Sequence, residues 1–117
     1  NSNAKGVYQG KIYVKDIAQK TDAYQLSKAL LLNDDTEFNS KPELEIYADD
    51  VKCSHGSTSG NVEEDSLYYL MTRGLSRKES LMLLINGFLN DIVDVIKSNT
   101  IKDFISSNLE KQIYEYK

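Results

Sequence analysis

Residues 7–15 alternate, with Tyr8, Gly10, Ile12 and Val14 on one side and Gln9, Lys11, Tyr13 and Lys15 on the other. Residues 43–48 do the same, setting Leu44, Ile46 and Ala48 against Glu43, Glu45 and Tyr47. A period of two predicts strands buried on one face. Residues 24–32 are ambiguous, because Leu26, Ala29, Leu30 and Leu31 also fit a short helix; the strand character of their neighbours assigns them to a strand. Gly6, Gly10, Gly56, Gly60 and the single proline, Pro42, all lie in the first 60 residues, which is the punctuation of β structure.

From Asn61 onward the period lengthens. Asn61 with Glu64, Ser76 with Glu79, and Thr100 with Asp103 each place a capping oxygen three residues before an acidic side chain, predicting three helix starts. The helix bodies are expected at 62–72, 77–98 and 101–114, with Gly74 as the left-handed stop of the first. In the middle helix the apolar side chains from Leu81 to Ile96 cover about half the circumference, more than the roughly 100° stripe of a surface helix, so it needs more than one neighbour. Ile101, Phe104, Ile105, Leu109 and Ile113 give the third helix a face to cover part of it, and Tyr68 and Tyr69 of the first are expected at core and rim.

Composition narrows the function. The 117 residues carry 14 Lys and Arg against 18 Asp and Glu, a net charge of −4, with no basic cluster. This argues against binding to nucleic acid or to an anionic membrane, both of which recruit concentrated cations. There is no run of about 20 apolar residues to span a bilayer, and a single cysteine cannot form an internal disulfide. A reducing, cytoplasmic location is the expectation. The chain begins with Asn1 instead of Met, so a fragment is expected; Ser2, Asn3 and Ala4 read equally as a scar of tag removal or as a native loop.

The densest reactive cluster is Asp49-Asp50-Val51-Lys52-Cys53-Ser54-His55. In an extended chain Cys53 and His55 share a face. Thiolate and imidazole suit zinc or iron, but a structural site takes four ligands, and this chain has one Cys and one His; a complete site must borrow from another chain. The alternative is a cysteine acting as a small hydrophobe beside a histidine satisfied in a turn. A small metal-dependent or thiol enzyme using Asp49, Asp50, Cys53 and His55 is the rival from another class, short of a group to orient the base. Residues 56–60, Gly-Ser-Thr-Ser-Gly, read as a flexible strand-to-helix turn; as a phosphate cradle they fail, because Glu63, Glu64 and Asp65 follow and the Lys-Ser/Thr of a P-loop is absent.

The run Pro42-Glu43-Leu44-Glu45-Ile46-Tyr47-Ala48-Asp49-Asp50-Val51-Lys52-Cys53-Ser54-His55-Gly56-Ser57-Thr58, followed by Leu67-Tyr68-Tyr69-Leu70 and Arg73-Gly74-Leu75, resembles the C-terminal part of the SufB/SufD family of iron–sulfur cluster assembly proteins. Upstream, Gln19-Lys20-Thr21-Asp22-Ala23-Tyr24-Gln25 and Leu30-Leu31-Leu32 extend the likeness, which reaches to about Phe88. Gly56 after the histidine points to the SufD branch, since SufB typically has Glu there. The resemblance implies that residues 1–60 are the last rungs of a right-handed β-helix and residues 61–117 a small helical domain. It further implies a non-catalytic scaffold that pairs with SufB and docks the ATPase SufC through its helices, around Arg73, Gly74, Arg77 and Lys78. Cys53 and His55 match the interface residues where a nascent iron–sulfur cluster is held transiently in the complex, no cofactor being expected in the isolated chain. A β half lacking its preceding rungs is expected to self-associate through its exposed edge.

Overall fold

The computed structural model describes residues 3–115, so Ser2 of the expected scar lies outside the described residues. The chain divides into two units, Asn1–Asn61 and Val62–Lys117.

The first unit holds four ten-residue strands, β1 (Lys5–Val14), β2 (Asp22–Leu31), β3 (Glu37–Ile46) and β4 (Lys52–Asn61). The ambiguous segment is strand β2. Pairing skips the neighbour in sequence: β1 lies parallel to β3, from Lys5 opposite Glu37 to Val14 opposite Ile46, and β2 lies parallel to β4, from Asp22 opposite Lys52 to Leu31 opposite Asn61. The last rungs of a right-handed β-helix, implied by the resemblance, are therefore not what is built. The strands form two separate two-stranded parallel sheets, and no β-helix is evident among the described residues. Two strands per sheet provide too few stacked units for the continuous core on which a solenoid depends. A β part followed by an α part remains.

Alternation decides which face of each sheet is covered. Gly10 and Ile12 of β1 are half-buried and Val14 is buried, at 3% exposure, while Ala23, Gln25 and Ala29 of β2 are half-buried and Ser27 is buried. The opposite face of the β1–β3 sheet is a polar ladder: Lys5 pairs with Glu37 at 2.9 Å, Lys11 with Glu45 at 2.7 Å, Gln9 Nε2 donates to Glu43 Oε1 at 3.1 Å, and the Tyr13 and Tyr47 rings meet edge to face. Hydrogen bonds from Lys5 and Lys11 hold the Glu37 and Glu45 carboxyls below the usual carboxylate range. Such exposed pairs add little stability, but they set opposite charges across the two strands.

Residues 56–60 correct the sequence reading, for they continue β4 as strand to Asn61. Glycine and serine favour strands weakly, but pairing along the length of β2 overrides that preference.

The second unit contains α1 (Glu64–Thr72), α2 (Arg77–Val93) and α3 (Asn99–Glu115). Only the middle start signal operates as a box: Ser76 accepts from the Glu79 backbone N–H while the Glu79 carboxylate accepts from the Ser76 N–H at 2.8 Å. Asn61 instead closes β4 and donates to Asp34 at 3.1 Å, leaving Glu63 to begin α1 without a side-chain cap. Thr100 falls inside α3. Gly74, at φ +98°, stops α1 as expected: its N–H donates to Met71 O at 3.0 Å and that of Leu75 to Leu70 O at 3.4 Å, the paired closure of a left-handed helix end. α2 ends earlier than its apolar run, at Val93, and packs against both α1 and α3. Leu67, Ile85, Val93 and Ile113 form the core, with Ser80 fully buried and donating to Ser76 O at 2.9 Å. Of the expected α3 face, Ile105, Leu109 and Ile113 turn inward, whereas Ile101 and Phe104 remain exposed. Tyr68 and Tyr69 are likewise outside, not core and rim.

Candidate functional site

Strand β4 places Cys53 and His55 on one face, one residue apart, beside Ala23 and Gln25 of β2. The Cys53 thiol is free and half-buried, and His55 is exposed. Just before them, Asp49 and Asp50 lie in the turn between β3 and β4. Lys20 N–H donates to Asp50 O at 2.5 Å, Asp50 N–H to Gln19 Oε1 at 2.9 Å, and Lys52 N–H to Thr21 O at 2.9 Å. This lacing ties the turn to the one between β1 and β2, where Lys20 adopts φ 64°. A shallow hollow of 240 Å³ between the two turns is lined by Lys20, Thr21, Asp22, Asp50, Val51 and Lys52.

The donor set is thus one sulfur and one nitrogen. Among the described residues no three His, Cys, Asp or Glu side chains gather as a metal site. Two ligands leave a tetrahedral ion half-coordinated, so closure needs donors from elsewhere. The phosphate-cradle geometry is absent too, since residues 56–60 run as strand.

The covered face next to His55 holds a feature that sequence reasoning missed. Gln25 Nε2 donates to the Tyr8 hydroxyl at 2.9 Å, and both side chains occupy the space over Gly10, where an added Cβ would stand 2.0 Å from Gln25 Nε2. Gln25 Oε1 is buried without a partner, as is Ser40 Oγ. The available signal was Gly10 itself, a glycine on the apolar side of an alternating strand, which marks a close approach.

In the helical unit, Arg77 is bidentate to Glu64 at 2.9 and 2.8 Å, bracing α2 to α1, and hydrogen bonding to Arg77 holds the Glu64 carboxyl below its usual range. Arg73 lies over the Tyr69 ring and Lys78 over that of Tyr114, at 5.1 and 5.5 Å from the centroids. A groove between α1 and α2 is lined by Asp65, Ser66, Tyr69, Leu70, Leu83 and Leu84. No helix among the described residues is long and apolar enough to cross a membrane.

Comparison with known proteins gives a family match over residues 1–88, to the family described as SUF system FeS cluster assembly, SufBD core domain. The chain is 45% identical over 93 residues to the iron–sulfur cluster assembly SufBD family protein slr0076 of Synechocystis, a stretch covering 80% of this chain and 20% of that protein. It is 38% identical over 103 residues to the chloroplastic protein ABCI7 of Arabidopsis thaliana, covering 88% of this chain and 22% of the relative. With the iron–sulfur cluster assembly protein SufD of Escherichia coli it shares 31% identity over 113 residues, 97% of this chain and 27% of the relative. The chain spans about a fifth to a quarter of the length of these relatives.

Proposed function

The chain belongs to the SUF system FeS cluster assembly family, SufBD core domain, and we propose that it serves there as a non-catalytic scaffold, pairing with SufB and docking the ATPase SufC through its helices. The observation that carries this reading is the half-set of donors on β4. Cys53 and His55 share one face of a strand that pairs with β2, and among the described residues no third ligand joins them. Such a pair binds a cluster as transient cargo when a partner supplies the remaining donors, and releases it when the partners separate. The rival enzyme would have to bring Asp49 and Asp50 together with Cys53 and His55, a convergence absent among the described residues. The lone thiol suits a reducing compartment. The one-sided pairing of all four strands also supports self-association through the β unit.

The test is reconstitution of the whole subunit with SufB and SufC, assaying iron and acid-labile sulfide. Cys53→Ser and His55→Ala are expected to lower cluster yield while leaving ATP hydrolysis by SufC unchanged. Tight binding of one zinc or iron per isolated chain would overturn the borrowed-ligand reading. For SufC docking, reversing Lys78 or Arg73 is cleaner than reversing Arg77, whose brace to Glu64 would be lost as well. Exchanging the brace as Arg77→Glu with Glu64→Arg separates the two effects, and undiminished SufC capture by all these variants would refute the assignment.

A further inference from the structure

We propose that Gln25 positions His55, its buried amide oxygen accepting the imidazole Nδ1–H and so leaving Nε2 as the metal donor. The inference rests on the reading of His55 as a ligand, but its own evidence lies in the β2–β4 sheet. Gln25 and His55 stand opposite each other in parallel register, on the same side of that sheet. Adjacent strands lie about 4.8 Å apart, a gap that an amide and an imidazole bridge by rotation about their side-chain bonds. Gln25 is already half fixed: its Nε2 is committed to the Tyr8 hydroxyl at 2.9 Å, which orients the amide and leaves Oε1 as the free end. That oxygen is buried with no partner, a condition that costs free energy unless a donor reaches it. Among the described residues His55 is the only imidazole, and it lies in the adjacent register position.

Which nitrogen donates follows from depth. The acceptor is buried whereas His55 is exposed, so the nitrogen nearer the backbone, Nδ1, meets Oε1 and the ring tip carrying Nε2 faces outward. Ligating histidines are commonly held this way, the second ring nitrogen donating to an oxygen that fixes tautomer and ring orientation. Gly10 makes the arrangement possible, since any side chain there would displace Gln25 and Tyr8 together.

The tautomer is read by ¹⁵N NMR of histidine-labelled protein without metal, at about pH 8, where an ordinary imidazole is neutral; the His55 signals are assigned by their loss in His55→Gln. The expected result is an Nδ1–H tautomer in the parent, lost in Gln25→Leu and retained in Gln25→Glu, which keeps an acceptor. An Nε2–H tautomer in the parent, or an Nδ1–H signature unchanged in Gln25→Leu, would overturn the proposal. Should Gln25→Leu fail to fold, Tyr8→Phe, which frees the amide to turn, decides it: a loss of Nδ1–H supports the proposal and no change refutes it. Cluster yield in His55→Ala reports separately on the metal reading, so either conclusion can fail without the other.

Discussion

Replacing Gly10 by alanine sets the backbone preference of the new residue against the space available to it. Neither Gly10 nor Gly60 has positive φ, so alanine suits the backbone at both. At a compatible site, Gly→Ala stabilises by about 0.4–1 kcal/mol by restricting the unfolded chain. At Gly60 nothing lies within 4 Å of the added Cβ, and this gain is expected in full. At Gly10 the Cβ would stand 2.0 Å from Gln25 Nε2 and 2.5 Å from the Tyr8 hydroxyl, so both side chains must swing away. Their hydrogen bond, worth about 1 kcal/mol net, is broken, and an amide left buried without a partner costs roughly 1–3 kcal/mol more. After the backbone gain is subtracted, Gly10→Ala is expected to lose about 1–3.5 kcal/mol, placing the two variants about 2–4 kcal/mol apart. With a urea slope of about 2 kcal/mol/M the unfolding midpoints then differ by roughly 1–2 M. Urea titration of both variants, followed by far-UV circular dichroism, measures this. If Gly10→Ala unfolds at or above the midpoint of Gly60→Ala, Tyr8 and Gln25 are not held over Gly10 and the packing argument fails.

Ser76→Ala removes the side-chain half of the two-way cap of α2 and is expected to cost about 1 kcal/mol, seen as a lower denaturation midpoint that Ser76→Asp largely restores. Leu67→Ala empties a site 2% exposed and should cost about 2–5 kcal/mol, whereas Tyr68→Ala next to it, 70% exposed, should stay within about 0.5 kcal/mol. Glu37, Glu45, Glu64 and Glu79 all have carboxyls held below their usual range by hydrogen-bond partners, so their contribution is present above the ordinary carboxylate pKa and is lost as pH falls through the depressed folded values. Midpoints measured between about pH 6 and pH 3 should therefore fall with pH, and Glu79→Gln should flatten the slope; a slope unchanged by that substitution would contradict the assignment at Ser76.

What is local could be read from the order of the residues. Alternation over Tyr8, Gly10, Ile12 and Val14 marked a strand with one covered face, Ser76 with Glu79 marked the start of α2, and Gly74 marked the end of α1, because each signal acts within a few residues of the backbone it controls. That order also placed Cys53 and His55 on a common side, which follows from strand periodicity alone. Tertiary structure decided the rest. Pairing Lys5 with Glu37, or Asp22 with Lys52, joins residues some thirty positions apart, and no pattern within a single strand specifies such a partner. The same pairing made strand of residues 56–60, against their local preference for a turn, and left two separate sheets where a β-helix was expected. Asn61 shows the competition directly, its side chain drawn to Asp34 and not to a helix start. Gln25 was legible only as one more strand position, until β1 brought Tyr8 and the space above Gly10 to meet it. A side chain's orientation is set by what packs across from it, and that neighbour is chosen by the fold.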